Sequence, residues 1–156
     1  MTETAPEPLS IPANRLRVFI YDVLIGAGHP PTSAEIGAHF RVSAADARGA
    51  MRRLGIGKTL IPDAKTGEIW MAGPFSARPT TYWVTSGRKS WWANCAWDML
   101  GIPAALGQSA RIDATCADCG APMRLDVDRD TGPVSNEGLV HILLPANRWY
   151  ADIGFT

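Results

Sequence analysis

The sequence predicts an α+β protein: an N-terminal winged-helix-like lobe of three helices, followed by a mostly antiparallel sheet with a core helix. Three observations lead there. Helical periodicity with two closely spaced capping signals fills residues 13–55. Short β-prone runs punctuated by Gly, Pro and Asp dominate after residue 80. The connections between those runs are too short for the repeated crossovers that parallel strands require. With 156 residues and 46% hydrophobic side chains, the chain can bury a core.

Residues 1–12 contain Pro and Glu and lack a basic stretch followed by an apolar one, so they read as a disordered leader and not as a secretory signal. Leu16, Phe19, Ile20, Val23 and Leu24 then recur with helical period up to Gly26 and Gly28. Thr32-Ser33-Ala34-Glu35 has the capping-box form and starts a short helix to about Phe40. Ser43-Ala44-Ala45-Asp46 opens a third helix, with Ala47, Ala50, Met51 and Leu54 on one side and Arg48, Arg52 and Arg53 on the other, ending at Gly55. Thr59–Pro62 and Glu68–Met71 read as a hairpin around the polar tip Asp63–Gly67, which completes a winged-helix-like lobe over 13–72. The breaker-rich stretch Gly73–Thr80 marks the boundary to a second lobe, 73–156. In it Thr81–Thr85 reads as a strand, and Ser90 as the cap of a helix from Trp91 to about Leu100 that Gly101 and Pro103 end. Ala110–Thr115, Met123–Val127 and Leu139–Leu144 are the remaining strands.

Fifteen basic and fifteen acidic residues give zero net charge, which argues against a large basic surface for nucleic acid. Arg48, Arg52 and Arg53 could meet phosphates from a recognition helix, but a few arginines on a helix are more often a solvated face. No apolar run approaches the ~20 residues of a membrane-spanning helix, so no membrane is expected and the default location is cytoplasmic. Three cysteines cannot all pair with one another, and a reducing compartment would keep them as thiols or metal ligands.

Two constellations carry chemistry. Cys95 and Asp98 stand three apart in a segment that reads as a helix, so they share one face. Trp91, Trp92, Ala93, Ala96, Trp97, Met99 and Leu100 surround them, and a buried carboxylate beside a thiol needs a partner, a metal or a task. The second is Cys116-Ala117-Asp118-Cys119-Gly120, a turn that brings two sulfurs to one side and often forms half of a tetrahedral zinc site. The other half is missing, unless the fold brings in Cys95 and His141. A redox dithiol is an alternative, although such pairs usually open a helix and this one lies between strands. Plain packing of buried thiols is a third possibility.

Pro74-Phe75-Ser76 with Pro79-Thr80, the run Ser90-Trp91-Trp92-Ala93-Asn94-Cys95-Ala96-Trp97-Asp98-Met99-Leu100-Gly101-Ile102-Pro103-Ala104, and Cys116 with Gly120-Ala121-Pro122 resemble the core of the alkylmercury lyase family, from about residue 70 onward. The resemblance implies an N-terminal helical lobe, an α/β core, and protonolysis of a carbon–mercury bond in a small organometallic substrate. It implies that Cys95 binds mercury and Asp98 handles the proton, as base and then as acid, and that Cys116 is structural; Cys119 has no assigned counterpart. Trp91, Trp92 and Trp97 would line a low-dielectric pocket that keeps the carboxylate protonated when needed. No cofactor is implied, mercury being part of substrate and product. The family's second mercury-binding cysteine would fall just after the strand expected at Leu139–Pro145, and Asp152–Thr156 contain none. Cys119 could supply that thiol if its turn approaches Cys95. A missing final strand would leave a sheet edge that pairing into a homodimer could close. Two other readings compete: a non-catalytic carrier or sensor holding a thiophilic metal through Cys95, Cys116 and Cys119, and a winged-helix regulator with a metal-sensing lobe.

Overall fold

The structure is a computed structural model that describes residues 11–55, 58, 60–134, 138–142 and 144–151. It is α+β and divides into two compact units, Met1–Trp70 and Met71–Thr156. Most of the expected leader lies outside the described residues; Ile11, at its end, is buried, and Pro12 accepts the first helical hydrogen bond from Leu16.

In the first unit, α1 (Ala13–Ala27) buries Leu16, Ile20 and Leu24, the stripe its sequence period marks out. The α2 helix (Ser33–Phe40) opens with a complete capping box: Thr32 Oγ1 accepts from the Glu35 N–H at 3.2 Å, and Glu35 accepts from the Thr32 N–H at 2.7 Å. Arg41, at φ 59°, turns the chain, and the Val42 N–H returns to the Gly37 carbonyl at 2.9 Å. A β-carbon on Gly37 would lie 2.8 Å from the Val42 carbonyl oxygen, so the short turn into α3 (Ala44–Gly55) requires glycine there. Ser43 Oγ accepts from the Asp46 N–H at 3.0 Å at the start of α3. Strands β1 (Leu60–Pro62) and β2 (Ile69–Ala72) form the hairpin, with Thr59 outside the described residues. Arg48 is not on a solvated face. It donates to Ser33 Oγ at 2.9 Å and stands 3.9 Å from Glu68, whose carboxylate also accepts from the Ser33 N–H at 2.7 Å, so it ties α2 and α3 to the hairpin.

The second unit is an antiparallel sheet in the order β3 (Phe75–Ser76), β5 (Lys89–Ala93), β4 (Tyr82–Ser86), β6 (Ala110–Thr115), β7 (Pro122–Asp128), β8 (Gly132–Pro133), with the end of β2 beside β3. Because β5 and β6 each run antiparallel to β4, they are parallel to each other and end at the same edge of the sheet. The register makes Tyr82 the partner of Ala114, and Trp83 of Trp92, which sets Ala93 opposite Tyr82 one residue further on. Alternation sends Phe75, Trp91, Ala93, Val84, Ile112 and Ala114 to one buried face. The α4 helix (Ala96–Leu106) packs on β4 and β5 and buries Met99, Ile102 and Pro103. The opposite face carries Trp83 against Trp92, centroids 4.2 Å apart, and the ion pairs Arg124–Asp113 at 2.8 Å and Arg111–Asp126 at 3.4 Å.

Several sequence expectations are corrected. Trp91, Trp92 and Ala93 are strand, not helix, because the two-residue turn Gly87-Arg88, with Gly87 at φ 59°, folds β5 back onto β4. Sheet pairing outweighs the helical spacing of the tryptophans, and Cys95, not Ser90, is the N-cap of the helix. That helix also runs one turn past Gly101 and Pro103. Proline removes one internal hydrogen bond but leaves the next residues free to stay helical, and Gly107 at φ 61° makes the stop. Residues 139–142 and 144 form no strand: Leu139 is 91% exposed, and the short β8 lies beside β7 instead. Leu143 and residues 152–156 lie outside the described residues. Among the described residues no helix is long and apolar enough to cross a membrane.

Candidate active site

The chain leaves β5 at Ala93, and the Asn94 N–H donates to the Pro74 carbonyl at 3.3 Å. Cys95 follows in extended geometry (φ −148°, ψ 179°) as the last residue before α4, its carbonyl accepting from the Met99 N–H at 3.0 Å. Asp98 stands in the first turn of the same helix. Its carboxylate faces the thiol: Cys95 Sγ donates to Asp98 Oδ2 at 3.3 Å. The Asn94 side chain also stands where it favours the ionised Asp98 carboxylate, while Asn94 Oδ1 is buried without a partner among the described residues. The structure thus brings together the two residues that the sequence marks, and adds Asn94 as a third.

Their acidities follow from where they sit. Burial, chiefly, and then the adjacent Asp98 charge push the Cys95 thiol up to about 11 from its ordinary 9.0. A helix N-terminus normally favours a thiolate, and the Asp98 and Trp97 N–H groups pull in that direction. They make no cap hydrogen bond with the sulfur, and burial wins. Burial likewise raises Asp98, partly offset by the hydrogen bonds from Cys95 and Asn94. The resting pair is therefore a protonated thiol donating to a carboxylate with more than ordinary proton affinity.

The surroundings differ from the expected tryptophan pocket. Trp91 lies on the buried face of the sheet, Trp92 on the opposite face, and Trp97 is 58% exposed because it lies on the outward side of α4. Of the three, Trp91 alone is buried. A groove on the outer face of the sheet, lined by Thr85, Arg111, Asp113, Arg124, Asp126 and Val134, includes neither Cys95 nor Asp98.

Cys116 and Cys119 flank a tight turn after β6, in which the Gly120 N–H donates to the Cys116 carbonyl and the Cys116 N–H to the Ala121 carbonyl, both at 2.9 Å. Gly120 closes the turn at φ 72°. Backbone N–H groups of Cys119, first, and Asp118, helped by the Cys119 side chain, hold the Cys116 thiol below its ordinary range. Cys119 is exposed and Cys116 half-exposed, so neither is a thiol that merely packs. Cys95 and Cys116 each stand two residues beyond the rung Ala93–Tyr82–Ala114, on strands separated by β4. Two interstrand spacings put those strand ends about 10 Å apart. Among the described residues no group of three or more His, Cys, Asp or Glu could hold a metal ion, so Cys95, Cys116 and Cys119 are not gathered into one centre, and the exposed His141 completes none.

The opposite shifts predict an order of reactivity. With iodoacetamide at pH 7, Cys116 is expected to be alkylated before Cys95, since only the thiolate attacks and burial keeps Cys95 protonated. Alkylation of Cys95 should climb as pH rises toward about 11, and Asp98→Asn, which removes the repelling charge, should shift that climb to lower pH. Peptide mass spectrometry over a pH series reads both; faster labelling of Cys95 at pH 7 would contradict the geometry.

Of the residues that act here, Asn94 is the one sequence reasoning leaves without a role. Its place before Cys95 is visible, but its contact with Asp98 depends on a turn held by the distant Pro74 carbonyl.

The sequence model of the MerB alkylmercury lyase family matches residues 75–153, which include Cys95, Asp98, Cys116 and Cys119. Alkylmercury lyases of Bacillus cereus and Clostridium butyricum are each 40% identical to the chain over 52 residues, 33% of this chain and 24% of theirs. The chain therefore matches about a quarter of the length of these relatives. The crystal structure of the mercury-bound form of MerB2 superposes with a TM-score of 0.56 at 20% identity, covering 74% of this chain and 56% of that one, which shows a shared fold. A family match spanning just over half of the sequence, on the unit that holds the thiol–carboxylate pair, places this chain in the alkylmercury lyase family.

Proposed function

We propose that the chain cleaves the carbon–mercury bond of a small organomercurial by protonolysis, with Cys95 as the mercury ligand and Asp98 as the group that moves the proton. The observation that carries this reading is the 3.3 Å hydrogen bond from Cys95 Sγ to Asp98 Oδ2 at the start of α4. A thiol pushed up to about 11 is inert until a soft cation arrives. Coordination by mercury then deprotonates it outright. The proton has an acceptor already in contact: as the S–Hg bond forms and the former counter-ligand leaves, Asp98 becomes the carboxylic acid. Its raised affinity for the proton suits it to hold that proton. In the second step Asp98 returns the proton to the carbon bonded to mercury. The electron pair of the C–Hg bond becomes the new C–H bond, the hydrocarbon leaves, and mercury remains as Hg(II) on the Cys95 thiolate, with the Asp98 carboxylate restored beside it. A second thiolate on mercury raises its electron density and weakens the bond to carbon. A small-molecule thiol can supply it from solution, and a reducing cytoplasm would contain one.

The α3 arginines give little to the alternative reading as a DNA-binding regulator, since Arg48 is committed to Ser33 and Glu68. The test of the proposal is catalytic: the reduced protein, incubated with an alkyl- or arylmercurial and excess monothiol, is expected to release the corresponding hydrocarbon above the thiol-only background. Uptake of the mercurial without any hydrocarbon would sink it.

A further inference from the structure

The Cys116–Cys119 turn is not used by the proposed reaction. We infer that it is a separate two-thiolate site for a soft cation that accepts two ligands, Hg(II) foremost, placed to receive the mercuric ion that the Cys95–Asp98 pair would produce. The turn is built to present sulfur. Its two backbone hydrogen bonds at 2.9 Å and the left-handed Gly120 fix the loop. Cys116 and Cys119 flank one tight turn, and the Cys119 side chain is near enough to influence the Cys116 thiol, so one ion can bridge both with little rearrangement. Cys119 is exposed, which gives an incoming ion access.

Ligand count decides which ion. A structural zinc site needs four donors, and among the described residues no third His, Cys, Asp or Glu converges on this pair. Two thiolates alone suit a soft ion with a low coordination number. Location ties the pair to the reaction. The turn leaves the sheet at the same edge as Cys95, two strands across, which separates the sites by about 10 Å in strand spacing. The exchange balances: mercury carried by Cys95 and one further ligand passes to the two thiols, one of their protons returns to Cys95, and the other leaves to solvent with the displaced ligand. Only this origin of the ion rests on the proposed lyase activity; binding by the pair does not.

The test therefore removes Cys95 first. Reduced full-length Cys95→Ser is loaded with mercuric chloride and dialysed against excess glutathione, and retained mercury and sulfur-to-mercury charge-transfer absorption are measured. One ion per chain is expected to stay. In Cys95→Ser/Cys119→Ser, and equally in Cys95→Ser/Cys116→Ser, retention should be at least about tenfold weaker, because a single thiol has no advantage over glutathione. Circular dichroism confirms that the variants are folded. Equal retention with and without Cys119, no retention in Cys95→Ser, or a preference for zinc over mercury would each overturn the inference. If wild type releases no hydrocarbon while Cys95→Ser still holds mercury through the pair, the catalytic reading fails and this site stands.

Discussion

Cys95→Ser is expected to reduce hydrocarbon release to the level of thiol-containing buffer. Serine keeps nearly the same volume at the N-cap of α4, where it is a favoured residue, so the helix should form as before. Only the chemistry of the donor changes. A hydroxyl is a hard oxygen donor that mercury does not deprotonate in competition with free thiols, so neither the capture of the substrate nor the proton that Asp98 must carry is available. The loss should appear as absence of a covalent adduct as well as absence of product, with an unchanged melting temperature. Normal turnover in this variant would remove Cys95 from the mechanism.

Asp98→Asn should separate capture from cleavage. Asparagine preserves the size of the side chain beside Cys95 and removes both the repelling charge and the ability to carry a proton. The mercurial should still load onto Cys95, because the thiol remains and one cause of its raised pKa is gone, so that solvent can take the proton Asp98 would have accepted. Hydrocarbon release should then fall by about 10²–10⁴-fold, the usual range for loss of a positioned acid–base group. In wild type Asp98 must begin ionised to accept the thiol proton, so the rate should decline as pH falls through its pKa. Because burial raises that pKa, the decline lies above the ordinary carboxylate range, and it should vanish in Asp98→Asn. Stopped single-turnover kinetics, with adduct and hydrocarbon measured separately, distinguish this from a general loss of structure.

The sequence is legible where a short-range rule determines the structure. The Thr32–Glu35 capping box and the β6 strand are fixed within a few residues of chain, and Cys95 and Asp98 share a helical turn whichever residue begins the helix. The sequence is not legible where distant pairing decides. Trp91 and Trp92 have the spacing and company of a helix, yet the Gly87-Arg88 turn delivers them to β4, which splits the expected tryptophan pocket between two faces of the sheet. Arg48 has the spacing of a surface arginine, and only the fold brings Ser33 and Glu68 to it. The Cys-x-x-Cys-Gly turn was legible as a sulfur-presenting turn, but its distance from Cys95 depends on strand order, which no local pattern encodes. The apolar run at Leu139–Leu144 has strand composition, but the described part of it pairs with no sheet edge.

The most direct test of the Cys95–Asp98 mechanism is a turnover of a phenylmercury salt by the reduced protein in D₂O with excess monothiol, analysed by headspace mass spectrometry. Proton transfer from Asp98, exchanged with solvent, predicts monodeuterated benzene in proportion to mercury left on the protein or passed to thiol, and its loss in Asp98→Asn. A stable phenylmercury adduct on Cys95, with its carbon–mercury bond intact and no benzene formed, would contradict the account.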